Sequence, residues 1–231
     1  MQTGIGIQWI IFIGVALASW LVQWNLQRKF KKYSEIRNST GLTGAEIAMK
    51  MLHDNGIYDV QVTHVDGQLT DHYNPTNKTV NLSEGVYSSN SIMAAAVAAH
   101  ECGHAVQHAR AYAPLNLRSQ LVPIVSFASQ WVSWVLLAGI FLLESFPQIL
   151  FIGILLFAAT TLFSFVTLPV EIDASRRALV WLNGSGMVDY SNQAYAKDAL
   201  KSAAYTYVVA ALGSLATLIY YVMIFMGRSR D

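Results

Sequence analysis

AAAVAAHECGHAVQHA, residues Ala94–Ala109, is an apolar, helix-forming stretch that carries His100-Glu101-Cys102-Gly103-His104. Residues four apart share a helix face, so the two imidazoles stand about 40° apart in azimuth and roughly 6 Å apart along the axis. That spacing lets both rings reach one Zn²⁺ ion, with Glu101 beside them to take a proton from an attacking water. The flanking residues Ala98, Ala99, Cys102, Gly103, Ala105 and Val106 are uncharged. A surface helix holding the same string by accident would carry charges at several of those positions. The competing reading is a buried helix whose histidines are satisfied by hydrogen bonds alone.

The rest of the chain suits a buried setting. It has 231 residues, 54% hydrophobic and 13% charged, whereas soluble domains carry about 25% charged residues. A formal net charge of +1 gives no general attraction to nucleic acid, and no nucleic-acid partner is expected. The single cysteine, Cys102, excludes an intrachain disulfide framework and any cysteine-rich zinc site, leaving histidine and carboxylate as ligands.

Four apolar runs, residues 5–24, 121–143, 149–168 and 203–226, are each long enough to cross a bilayer core of roughly 30 Å. The first has Gln8 and Gln23 near its ends and Trp9, Trp20 and Trp24 as interface anchors. A cleaved signal peptide is the rival reading, weakened because the basic residues follow the apolar run instead of preceding it. Those residues, Arg28, Lys29, Lys31 and Lys32, are placed in the cytoplasm by the positive-inside rule. Residues 144–148 then turn a helical hairpin with its tip outside. On this topology 13 of the 15 Lys and Arg residues face inward, and only Arg228 and Arg230 dissent.

Two polar regions, 25–116 and 169–202, are expected on the cytoplasmic face, where the lipid bilayer meets water. Thr43 and Glu46 form a capping box that opens a helix; Ile47, Met51 and Leu52 follow at helical spacing, and Asn55-Gly56 closes it. Val60–Val65 and Lys78–Leu82 are candidate strands, marked off by the turn signals Asp66-Gly67 and Asn74-Pro75.

A catalytic zinc takes three protein ligands and keeps one position open. His108 continues the spacing of His100 and His104, but on a straight helix it lies about 12 Å from His100, too far to share the ion. Downstream, Leu168-Pro169-Val170-Glu171-Ile172-Asp173-Ala174-Ser175-Arg176-Arg177 reads as a helix started by Pro169, with Glu171 and Asp173 in its first turn. Either acid could reach the imidazoles in a helical bundle, or both could cap the helix and complement Arg176 and Arg177; spacing alone leaves this open. Candidates to stabilise an oxyanion are His72, Tyr73, His108, Tyr112, Arg176 and Arg177, each with an ordinary turn or surface role as its alternative. The strand at Lys78–Leu82 precedes the motif helix and is expected to offer an edge to an extended peptide; the plainer option is a sheet that only covers the helix. His53 and His64 read as solvated, Met49, Met51, Trp131 and Trp134 as packing or lipid contacts. Cys102, about 200° around the helix from His100, reads as core.

The first apolar run with its basic tail, DHYNP (Asp71–Pro75), AAHECGHAVQHA (Ala98–Ala109), YAPLNLR (Tyr112–Arg118) and LPVEIDASRRAL (Leu168–Leu179) together resemble the YugP-like family of membrane neutral zinc metallopeptidases. More distantly the chain is similar to the gluzincin peptidases of membranes, the prenyl-protein and heat-shock endopeptidases, in which a Glu from a downstream E-x-x-x-D helix completes a His₂Glu site. The resemblance implies His100, His104 and Glu171 as zinc ligands and Glu101 as the base. Four positions after Glu171 the distant pattern has an acid where this chain has Ser175, which leaves Asp173 to supply part of that supporting role. The implied fold is mainly α and integral to the membrane, with about four transmembrane helices and a small α+β, zincin-like cytoplasmic region carrying the motif helix. The implied activity is zinc-dependent endopeptidase cleavage of membrane-associated or membrane-proximal polypeptides, at the cytoplasmic side of a bacterial cell membrane. A non-catalytic, zinc-stabilised scaffold or chaperone-like protein is the alternative. A transporter is discouraged by the scarcity of ionisable residues within the spans.

Overall fold

The structure is a computed structural model that describes the backbone of residues 3–227 and the side chains of residues 9–227; Arg228, Arg230 and the side chain of Gln8 lie outside the described residues. In chain order the elements are α1 (Thr3–Ser34), α2 (Gly44–Asp54), β1 (Gln61–Val65), β2 (His72–Asn74), β3 (Thr79–Ser83), α3 (Glu84–Tyr87), α4 (Ile92–Ala109), α5 (Ala113–Phe141), α6 (Pro147–Gly184) and α7 (Gln193–Gly227). The fold is mainly helical with a small mixed sheet, and α1, α5, α6 and α7 are long and apolar enough to cross a membrane. α1, α6 and α7 run past the apolar limits read from sequence at both ends, whereas α5 starts earlier, at Ala113, and stops at Phe141, short of the expected 143.

The chain divides into two compact units. One contains α1 as far as Leu21, residues 117–168 of α5 and α6, and α7 from Thr206. Its centre is the α5–α6 hairpin, where Val132, Leu136, Leu150 and Ile154 are buried against each other. Glycine makes this packing possible: a Cβ on Gly139 would stand 2.5 Å from the Leu150 Cα, and one on Gly153 would stand 2.8 Å from the Leu136 side chain. Small residues at such crossings let helix backbones close up where lipid offers no hydrophobic drive. Tyr221 and Phe225 of α7 complete the cluster through ring contacts with Phe157 and Phe151. Trp131 and Trp134 point outward, 52% and 70% exposed, and so take no part in this packing.

The second unit, residues 22–116 and 169–205, is built around α4. Ser91 caps that helix by accepting from the Ala94 N–H, and the alanines at 94, 95, 96, 98 and 99 are completely buried. Short side chains let neighbours close in from several sides: Ile47, Met51 and Leu52 of α2, Val80 and Leu82 of β3, Val86 of α3, Ala178 and Leu182 of α6, and Leu200 of α7. Each large aliphatic side chain so buried contributes roughly 1.5–3 kcal/mol. The capping box at Thr43 and Glu46 is present in both directions, and Gly56 follows α2 with φ +75°. Lys29 reaches both Asp198 and Ser202, and the Tyr33 hydroxyl also donates to Asp198, joining the end of α1 to the start of α7.

Two expectations are corrected here. The sheet order is β1-β3-β2, with β1 parallel and β2 antiparallel to β3. The strand near Lys78–Leu82 is therefore the centre of the sheet, and its edges are already paired; the free edge beside α4 belongs to β2, a strand too short to announce itself by alternation. Pro169 does not begin a helix either. It lies inside α6, which runs unbroken from Pro147 to Gly184. A proline forfeits one backbone hydrogen bond and kinks a helix without necessarily ending it, so Glu171 and Asp173 are interior residues with no first-turn dipole to complement.

Filling the α5–α6 crossing tests its tightness. Gly139→Ala is expected to lower stability by about 1–3 kcal/mol, read as an earlier thermal unfolding transition in detergent.

Candidate metal centre

His100 and His104 project from one face of α4, and Glu171 reaches them from α6. A helix interior can come this close because residue 103 is glycine: a Cβ there would stand 2.6 Å from the Ala174 carbonyl oxygen. The Nε2 atoms of His100 and His104 lie 3.3 and 3.6 Å from the same Glu171 oxygen, Oε2. The three ligand atoms all fall within 4.8 Å of one another. Donors around a tetrahedral zinc at about 2.0–2.1 Å stand roughly 3.3–3.4 Å apart, so the His100–Glu171 separation is already that of a shared ion and the His104–Glu171 separation is slightly longer.

The other ring nitrogens are occupied from behind. His104 Nδ1 lies 3.0 Å from Gln107 Oε1, and His100 Nδ1 lies 3.1 Å from the Ser175 hydroxyl. Both rings thus turn Nε2 towards the carboxylate, the arrangement metal-binding histidines need. Glu101 is 8% exposed, and its Oε2 accepts a 3.0 Å hydrogen bond from the Tyr73 N–H of β2.

Burial works against ionising Glu171, but hydrogen bonds and charge from His100 and His104 outweigh it and hold the carboxyl below the usual range. Burial likewise works against protonating His104, yet Glu171, Glu101 and Gln107 together push its affinity for a proton up. Two imidazoles and one carboxylate form an N₂O donor set of the kind zinc takes. The residues present therefore fit zinc.

A sequence family described as "Putative neutral zinc metallopeptidase" matches residues 8–226. The chain belongs to this family. It is also 45% identical, over 96% of its own length and 99% of the relative's, to the "Putative membrane protease YugP" of Bacillus subtilis (strain 168). No solved structure gives a significant match to the chain. The family description supplies zinc and the grouped donors supply a place for it.

Among the residues singled out from sequence, His100, His104 and Glu171 come together, and Glu101 lies near enough to bear on the charge of His104. Asp173 does not touch either imidazole; its Oδ2 accepts from Gln107 Nε2 and from Arg177, and these bonds outweigh burial to hold its carboxyl below the usual range. Tyr73 and His108 form a pair, hydroxyl to Nδ1 at 3.1 Å. His72 is exposed, its Nδ1 2.8 Å from the Thr70 carbonyl, on the sheet face opposite Tyr73. Arg176 is exposed beside Asp173, and Tyr112 lies under the Arg177 guanidinium. Cys102 is fully buried against Ala48, and burial pushes its thiol well up, away from thiolate. Sequence reading missed Gln107; the available signal was a glutamine three residues after the second histidine, the distance at which a side chain reaches back along a helix.

The Gly103 contact gives a direct check. Gly103→Ala is expected to push α6 away from α4 and to weaken zinc binding by at least about tenfold, measured by chelator competition on the purified protein.

Proposed function

We propose that the protein is a membrane-embedded, zinc-dependent endopeptidase with His100, His104 and Glu171 as ligands and Glu101 as general base. One observation carries this reading: two imidazole nitrogens and a carboxylate oxygen meet at the spacing of a single ion, with a second carboxylate next to the first imidazole. When bound, zinc supplies Lewis acidity, lowering the pKa of water towards 7 and polarising a scissile carbonyl.

The chain's own residues do the rest. Glu101 takes the proton of the attacking water and returns it to the leaving amine. The Tyr73 N–H fixes the position of its carboxylate. An extended polypeptide lies along the free edge of β2, the edge that faces Glu101, and contributes main-chain hydrogen bonds there. The Tyr73 hydroxyl and His108, one turn beyond His104, offer donors for the developing oxyanion. Surrounding alanines and the buried flanks of α4 keep bulk water out, which strengthens each of these interactions.

Glu171 follows the apolar run ending at Leu168 by three residues, about 4.5 Å of helix. This short separation supports reading the reaction as one at the membrane surface. With the basic residues after the first span read as cytoplasmic, the site faces the cytoplasm of a bacterial cell, and its substrates are membrane-associated or membrane-proximal polypeptides.

Two variants separate ligand from base. Glu171→Ala is expected to lose bound zinc, measured as metal content after dialysis. Glu101→Gln is expected to keep the zinc and slow cleavage of an unfolded membrane polypeptide by about 10²–10⁴-fold. Undiminished cleavage by Glu101→Gln would reject the base assignment, and zinc-loaded wild-type protein that hydrolyses no polypeptide would favour the scaffold alternative.

A further inference from the structure

We propose that Gln107 is a positioning residue that dictates which ring nitrogen of His104 is left bare to hold the metal. The proposal rests on the reading of His100, His104 and Glu171 as ligands and goes beyond it.

Gln107 is fully buried, with no exposed surface. One end of its amide lies 2.8 Å from the Val170 carbonyl oxygen and 3.0 Å from Asp173 Oδ2. A carbonyl can only accept, and Asp173 is already engaged by Arg177 and flanked by Arg176, which keeps it an acceptor too. The end facing them is therefore the NH₂, and the opposite end is the carbonyl oxygen. That oxygen lies 3.0 Å from His104 Nδ1 and can only accept, so Nδ1 carries the proton. In the neutral ring Nε2 is then the bare nitrogen, and it is the one directed at Glu171. Donation thus runs from His104 to Gln107 and from Gln107 to Asp173, which also accepts from Arg177, with no freedom to reverse.

His100 has no such constraint. Its Nδ1 meets the Ser175 hydroxyl, which can donate or accept. One ligand is fixed in advance and the other adapts. Fixing a ligand's tautomer before the metal arrives removes an ordering cost from binding, and supporting contacts of this kind are typically worth about 10–100-fold in metal affinity.

The test uses the full-length protein in detergent, with the zinc dissociation constant measured against a chromophoric chelator. Gln107→Met keeps the size of the side chain and removes both its acceptor and its donors; it is expected to bind zinc about 10–100-fold more weakly. Nitrogen-15 spectra of the metal-free protein, recorded at a pH alkaline enough for His104 to be neutral, are expected to show its ring wholly as the Nδ1–H form in the wild type and as a mixture in Gln107→Met, a change that a merely space-filling role would not produce. Wild-type affinity and an unchanged tautomer in Gln107→Met overturn the proposal while leaving the metal centre intact. Wild-type protein that binds no zinc overturns the metal reading itself, and this inference with it. Should Gln107→Met fail to fold, Gln107→Glu decides, because its carboxylate keeps an acceptor for His104 Nδ1 and loses only the amide donors. A retained Nδ1–H form of His104 supports the proposal, and a mixed tautomer overturns it.

Discussion

The close passage of α6 over α4 at Gly103 is the constraint on which the candidate centre depends. A side chain at position 103 would collide with the Ala174 carbonyl, and Ala174 is one helical turn from Glu171. The glycine inside the motif therefore has a task distinct from chemistry: it sets how far the carboxylate must reach. With the backbones this close, a glutamate meets both imidazoles through one oxygen. Alanines along the rest of α4 extend the same principle, since short side chains let four other helices and a strand close around it.

Such packing creates an electrostatic problem. Glu101, Glu171 and Asp173 are all buried, and carboxylates removed from water are tolerated only when paired and hydrogen-bonded. Each has its own solution. Glu171 faces two imidazoles, Asp173 is held by Arg177 and the Gln107 amide, and Glu101 takes a main-chain N–H from β2. The last of these also explains why a three-residue strand persists: one end of its hydrogen bonding belongs to the sheet and the other to the motif helix. Arg177 stacks over Tyr112 as well, so the residues just after α4 are tied to the same network.

Much of this was legible in the sequence because it is written in long or strongly spaced patterns. The apolar runs, the capping box at Thr43 and the two histidines four apart all follow from periodicities that tertiary packing does not override. What escaped was short or chemically quiet. His72–Asn74 has too few residues for alternation, and the Asn74-Pro75 turn signal drew it into a turn, which in turn assigned the free sheet edge to the wrong strand. Pro169 looked like a helix start because local rules favour proline there, yet the apolar run before it and the acidic segment after it are one rod. Gln107 carries no charge and sits in an apolar helix, so nothing local separates it from a neutral filler; its significance comes from Val170 and Asp173, more than 60 positions away.

The two halves of the candidate centre are distant in the order of synthesis. His100 and His104 precede α5, whereas Glu171 follows the long apolar portion of α6. A growing polypeptide that has reached Leu168 holds a pair of imidazoles and no carboxylate to complete them. Assembly of the three-donor cluster must therefore wait until both long apolar helices of the hairpin have been made, which ties completion of the candidate centre to emergence of the whole hairpin.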